Sequence, residues 1–284
     1  MAALFKYFHP DRTDVLKGQS IRFSSPKVLN DPFELKPHVS ALGSGELLDS
    51  EFDRLFPKLL EEEWAKLPPE VHNLIQSHEF YAALKAQLPK ARDSFQQLSK
   101  GIVPSLQALM ERKFEELIGL LCLTELPTSL LMWAHYADSH KGFVVEFDSE
   151  APFFKQRLDD EDEFRHLRKV CYQASRPSIV LAEVQNFEQF LIKSNDWAYE
   201  AEWRMLMPLS MASQKIGDGP DAIHLFKFPS SIIKTIVLGC QMKEQKKLEV
   251  QEVLWSNSQY SHVKLKQARI DNTCYRISIG DANL

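Results

Sequence analysis

The chain has no apolar run of about 18 residues or more, which argues against a membrane-spanning helix. It also lacks a glycine-rich strand–turn–helix fingerprint, which disfavours a doubly wound dinucleotide fold. Cysteine is sparse: Cys122, Cys171, Cys240 and Cys274 lie far apart, and no close cysteine pair or cysteine/histidine cluster suggests zinc. No metal is expected. Each cysteine sits in an apolar, strand-like stretch, so reduced core thiols are expected. Positive charge is not in excess either. A formal net charge of −5 excludes a generally basic, nucleic-acid-coating surface, although it says nothing about a local basic groove. The first residues have no signal-peptide apolar core, and cytoplasm is the expected location. There is no internal repeat and no low-complexity tract.

What is present reads as an ordinary globular chain: 284 residues, 44% hydrophobic and 11% aromatic, enough to bury a substantial core. Ile21-Arg22-Phe23-Ser24 alternates like a strand, and Val28 to Glu34 reads as a loop around Asn30-Asp31-Pro32. From about 45 to 117 the texture turns helical. Leu47, Leu48, Phe52, Leu55, Phe56, Leu59 and Leu60 recur at three- and four-residue steps, Pro68-Pro69 breaks the pattern, and Asp93 and Ser105 stand as candidate caps. Strands are expected at 118–123, 143–147 and 170–172, with a helix at about 128–138 and a charged, mobile segment at 158–169. A further helix is expected near 179–193. The C-terminal part predicts strands at 223–228, 235–239, 263–266 and 275–279 around a helix at 244–255. The fold class is therefore α+β: one domain with a mixed or antiparallel sheet core, segregated helices, and a helical insertion in its first half.

Two patches are dense in chemically capable residues. Read as one strand, Trp197 to Arg204 puts Glu200, Glu202 and Arg204 on one face at steps of about 6–7 Å, with Trp203 as an apolar anchor on the other. Paired carboxylates held this way suit acid/base chemistry, metal binding or sugar hydroxyl recognition; a solvated face with a surface ion pair is the bland alternative. On the helix at 128–138, Met132, His135 and Tyr136 share a face, with Asp138 one turn beyond His135. His135 is then either a proton-transfer group or a satisfied core histidine. Lys193, four residues before Trp197, suits a phosphate, a carboxylate partner or a helix end.

Three motifs in order carry a resemblance. They are Ile21-Arg22-Phe23-Ser24-Ser25-Pro26 with Leu29-Asn30-Asp31-Pro32-Phe33-Glu34, then Leu131 to Asp138 with Lys141-Gly142, then Lys193 and Trp197-x-Tyr199-Glu200-x-Glu202-Trp203-Arg204. Together they resemble the domain-of-unknown-function 2971 family, over essentially the whole chain. That name implies no activity. The motif order is also similar to that of mono-ADP-ribosyltransferase folds, with Lys6-Tyr7 as the first element and Glu200-Ala201-Glu202 as the last. This resemblance implies NAD as co-substrate, held by Lys6, Tyr7, Arg22, Ser24, Asn30, Asp31, Lys193, Trp197 and Arg204. It implies that Glu202 holds the ribose 2′-hydroxyl and stabilises an oxocarbenium-like transition state and that Glu200 orients the acceptor; His135 and Tyr136, read from their shared helix face, complete the expected catalytic set. Phe8 departs from the pattern, where an arginine or histidine is typical, and no Ser-Thr-Ser strand is present; Ser24-Ser25 or Tyr136 must serve.

Three functions compete. The first is an NAD-consuming transferase or glycohydrolase whose acceptor is a nucleic acid, a protein or water. The second is a metal-dependent nuclease or phosphoesterase, of the kind used in defence or as a toxin, drawing ligands from Glu200, Glu202, Asp31, Glu34 and His135. The third is a non-catalytic binding module in which Trp133, Trp197, Trp203 and Tyr136 are core and the charges fix strand register.

Overall fold

The computed structural model describes residues 3–282 and has an α+β fold divided into two compact units. One unit comprises the chain up to Lys36, Arg112–Arg176 and everything from Phe190 onward; the other comprises Pro37–Glu111 and Pro177–Gln189. No helix among the described residues is long and apolar enough to cross a membrane.

The first unit is built on an eight-stranded sheet. Its strands in chain order are β1 Leu4–Phe8, β2 Ile118–Thr124, β3 Phe143–Phe147, β4 Leu167–Lys169, β5 Glu202–Pro208, β6 Ile233–Leu238, β7 Lys264–Ile270 and β8 Ile277–Asp281. They lie in the order β8-β7-β6-β3-β1-β2-β5-β4. Every pairing is antiparallel except that of β6 with β7. Alternation along the strands separates two faces. One face buries Leu4, Phe8, Leu121, Leu123, Phe143, Met205 and Met207 against Val250, Val253 and Leu254 of the helix Glu244–Ser256. On the other, Tyr7 and Val144 pack against Trp133 of the short helix Leu130–Tyr136. Ser129 starts that helix, its hydroxyl accepting from Met132 N at 3.4 Å. The helix returns to β3 through three consecutive left-handed residues, Asp138, Ser139 and His140. Gly142 then passes so close to β1 that a Cβ there would lie 1.9 Å from the Phe8 carbonyl oxygen.

One irregularity of this sheet positions the site. β2 and β5 pair over seven residues, from Thr124↔Glu202 to Ile118↔Pro208. β1 and β2 pair only at Phe5↔Thr124. Beyond that point the strands part, and Leu120 bonds instead to Ser24, next to the strand Ser20–Phe23, in both directions at 2.8 and 2.9 Å. Lys6 spans the opening, its ammonium donating to the Cys122 carbonyl at 3.0 Å.

The second unit carries the helices Gly45–Ala65, Pro69–Leu74 and Ser77–Lys85, and that of Leu88–Leu117 up to residue 111. Its two-stranded parallel sheet pairs His38–Ala41 with Ser178–Val180. Ser44 caps the first helix by accepting from Leu47 N at 3.3 Å, and Pro68-Pro69 separates the first two, as the helical stripe predicts.

Four local expectations are corrected. Asp93 and Ser105 cap nothing, because the helix Leu88–Leu117 runs through both. Residues 179–193 form no α-helix. They hold the end of a strand, two short 3-10 turns and the start of the strand Ile192–Ser194, because long-range parallel pairing takes up the backbone that a local helix would have used. Cys171 and Cys274 are exposed rather than core, since each falls on the outward side of an edge strand or a turn; all four cysteines are free thiols. The stretch Trp197–Arg204 is not one strand. Asn195–Glu200 is a 3-10 helix, Ala201 is left-handed at φ 42°, and β5 begins at Glu202.

Candidate functional site

The break at Ala201 leaves Glu200 and Glu202 both in contact with one ammonium, that of Lys193. Ser194 starts the 3-10 helix by accepting from Asp196 N at 3.3 Å. Its last turn is fixed where the Thr124 hydroxyl donates to the Glu200 carbonyl at 2.5 Å. Ala201, left-handed, then separates the 3-10 helix from the start of β5. Glu202 is anchored there by its backbone, which donates to the Tyr172 hydroxyl at 2.9 Å and accepts from Val170 N at 2.9 Å.

Between the two carboxylates stands Lys193, donating to Glu200 Oε2 at 2.6 Å and to Glu202 Oε2 at 3.2 Å. Its ammonium also lies 4.7 Å from the Trp197 ring centroid. Behind them Arg204, fully buried, is held at both ends of its guanidinium. It donates to Glu202 through Nε (2.8 Å) and Nη2 (2.9 Å), and to Glu34 through Nη1 (2.5 Å) and Nη2 (2.8 Å). On the cavity side the Tyr136 hydroxyl donates to Glu200 Oε1 at 2.5 Å, with Asn30 Nδ2 at 3.5 Å from the same hydroxyl. The result is one continuous network: Glu34–Arg204–Glu202–Lys193–Glu200–Tyr136.

Its electrostatics follow from burial set against pairing. Burial would lift the Glu202 carboxyl, but Arg204 and Lys193 outweigh it and hold the group down at about 2. Glu34 goes the other way: burial and the Glu202 charge raise it, against the pull of Arg204. Burial works against the Lys193 ammonium, and Glu202 and Glu200 more than compensate, so its pKa is raised. Burial and the Glu200 hydrogen bond push the Tyr136 hydroxyl well above its ordinary value. Lys6 is lowered by burial.

A cavity of about 600 Å³ opens where β1 and β2 part. Of the residues expected at a site, Lys6, Tyr7, Ser24, Asn30, His135, Tyr136, Lys193, Glu200 and Glu202 all line it. Tyr7 lines it with its hydroxyl already committed to the Leu126 carbonyl at 2.6 Å. His135 is exposed there, its ring near Tyr136 and Tyr199, so the core-histidine alternative does not hold. Four expected residues are not on the lining. Arg204 lies behind Glu202, and Trp197 lies beneath Lys193. Asp31 is buried and shapes the loop by accepting from Phe33 N at 2.9 Å. Arg22 sits on the strand Ser20–Phe23 opposite Leu225, half-buried, and burial lowers its pKa. Trp203 is half-buried rather than a core anchor, its indole donating to Glu125 at 2.8 Å.

Sequence reasoning missed the weight of Glu34, which it read only as a polar loop residue and as one of five candidate metal ligands. A signal was available. An arginine followed by Met205, Leu206 and Met207 is headed for the interior, and its five donors require more than one carboxylate. Cys122 and Thr124, also on the lining, carried no such signal.

The site lies largely inside the segment that finds a counterpart among known families. Residues 132–205 match the model of a family described as a protein of unknown function, DUF2971. No curated protein and no solved structure matches the chain. What residues 132–205 are similar to is therefore a family defined by its sequence and not by an activity.

Proposed function

We propose that this protein is an NAD-consuming enzyme of the ADP-ribosyltransferase type, transferring ADP-ribose to a nucleic acid, a protein or water. One observation carries the reading: the buried network holds three carboxyl groups, Glu34, Glu202 and Glu200, against two cations, Arg204 and Lys193. Within these hydrogen-bonded contacts the carboxyl groups outnumber the cations by one, and the Lys6 ammonium, which feels the Glu202 charge, stands outside them on the same cavity. That excess reaches the cavity through Glu200 and Glu202, while Lys6 and His9 line the same cavity. A cavity with a fixed acidic wall and basic groups elsewhere suits a ligand with a cationic end and a phosphorylated middle. NAD is such a ligand, and the volume is in the range of cavities that enclose small molecules.

The chemistry asked of these residues is electrostatic. When the bond between the ribose C1′ and the nicotinamide nitrogen breaks, its electron pair leaves with nicotinamide and positive charge develops on the sugar. The acceptor's oxygen or nitrogen then bonds to C1′ and its proton passes to water. A preorganised carboxylate facing that charge lowers the barrier by several kcal/mol, because it needs no reorganisation as the charge appears. The nuclease alternative is disfavoured at Glu202, both of whose oxygens Arg204 already holds.

The test is nicotinamide release from NAD, with candidate acceptors, by the wild type and by a Glu200→Gln/Glu202→Gln double variant confirmed as folded by circular dichroism. Release by the wild type and its loss in the variant support the reading. Equal release by both proteins, or none by the wild type with any acceptor or water, refutes it.

A further inference from the structure

We infer that Glu200, not Glu202, is the carboxylate that touches the substrate, and that Glu202 acts as a positioning residue behind it. This rests on the proposed NAD reading but reverses the roles that the family resemblance implies. The argument is a count of lone pairs: an ionised carboxylate offers about four acceptor sites. Glu202 has three of these sites occupied by protein, with both of its oxygens held by Arg204. Oε1 accepts from Arg204 Nε at 2.8 Å, and Oε2 accepts from Arg204 Nη2 at 2.9 Å and Lys193 Nζ at 3.2 Å. Glu200 accepts only two of its side-chain bonds from described groups, Tyr136 Oη at 2.5 Å and Lys193 Nζ at 2.6 Å. It is also just 4% exposed, and it lines the cavity. A ligand entering the cavity therefore meets more open acceptor sites on Glu200 than on Glu202.

The two carboxylates also differ in freedom. Glu202 begins a strand paired on both sides, and Arg204 grips it with two donors, so reaching a ligand would break a buried ion pair. Glu200 ends a 3-10 helix at a left-handed hinge and is bound through single contacts. In this arrangement Glu202 keeps Lys193 and Arg204 in place. Lys193 and Tyr136 aim Glu200 at the reacting sugar, and Glu200 faces the charge that develops as nicotinamide leaves.

Four proteins test this: wild type, Glu200→Asp, Glu200→Gln and Glu202→Gln. Each is measured for melting temperature, for calorimetric affinity toward the pyridinium cation 1-methylnicotinamide, and for kcat and KM of nicotinamide release. Glu200→Asp keeps the charge but withdraws it by one methylene. The expectation is that both Glu200 variants lose about 100-fold in kcat while melting closer to the wild type than Glu202→Gln does. Glu202→Gln is expected to melt lower, yet to keep kcat within about tenfold where folded, with its loss appearing in KM. A folded, inactive Glu202→Gln beside an active Glu200→Asp overturns the assignment and leaves the NAD reading standing. A wild type that neither binds the cation nor releases nicotinamide overturns both.

Discussion

Replacing Arg204 by methionine is the sharpest probe of the network. In the wild type three carboxyl groups face two cations; Arg204→Met leaves three against Lys193 alone. Glu34 and Glu202 are each 4% exposed and lose their two-donor partner, which leaves Glu202 with Lys193 and takes both Arg204 bonds from Glu34. Removing one member of a buried ion pair costs about 3–5 kcal/mol, a large share of the roughly 5–15 kcal/mol that holds a typical protein folded. The cost depends on pH, with a sign that can be worked out. In the wild type Glu202 is held down at about 2, so its contribution is intact above the unfolded carboxyl value of about 4.3 and is lost only as pH falls toward 2. In the variant both carboxyls are raised above their unfolded values, so the stability they leave is present at low pH and lost as pH rises through the folded values. Urea unfolding at pH 5 and pH 7.5 should therefore show a penalty that grows toward the higher pH. Adding Glu34→Gln to Arg204→Met restores an excess of one carboxyl group and should return about 1–2 kcal/mol. A penalty under about 1 kcal/mol at pH 7.5, or one equal at both pH values, refutes the reasoning.

Three further outcomes are expected. Gly142→Ala, whose Cβ would sit 1.9 Å from a backbone oxygen that cannot give way, should cost about 3 kcal/mol or more, seen as a lowered melting temperature or loss of soluble protein. Tyr136→Phe removes the donor to Glu200 and should destabilise by about 1–2 kcal/mol in urea titrations, because a buried carboxylate oxygen is left short of a partner. Under native conditions at pH 8, mass spectrometry of thiol labelling should find Cys171 and Cys274 modified quickly and Cys122 slowly, since burial pushes the Cys122 thiol up and shields it.

The legible parts of the fold are those where one period acts alone. The stripe from Leu47 to Leu60 forms the helix Gly45–Ala65, and the apolar run at Ile118–Leu123 forms β2, because local spacing and burial agree there. Legibility fails where a distant partner decides. Val180 to Phe190 has helical spacing, yet Ser178–Val180 pairs with His38–Ala41, more than a hundred residues away. The same limit hides the feature that creates the cavity. Nothing in Leu4–Phe8 or Ile118–Thr124 announces that two strands of good propensity pair at a single position and then part.

The site shows the other kind of limit, in which the right residues are legible from the wrong geometry. Glu200, Glu202 and Arg204 alternate as a strand would, but a left-handed Ala201 breaks the alternation, and only glycine or asparagine would have flagged that turn in the sequence. The residues converge nonetheless, and the cause is charge rather than periodicity. Arg204 enters the interior on β5 and has to find acceptors there, which recruits Glu202 from its own strand and Glu34 from a loop 170 residues earlier. Lys193 then balances Glu202 and draws in Glu200, and Glu200 in turn takes the Tyr136 hydroxyl. Each buried charge creates the demand that places the next, and the chain of demands ends at the cavity on a carboxylate with acceptor sites left over.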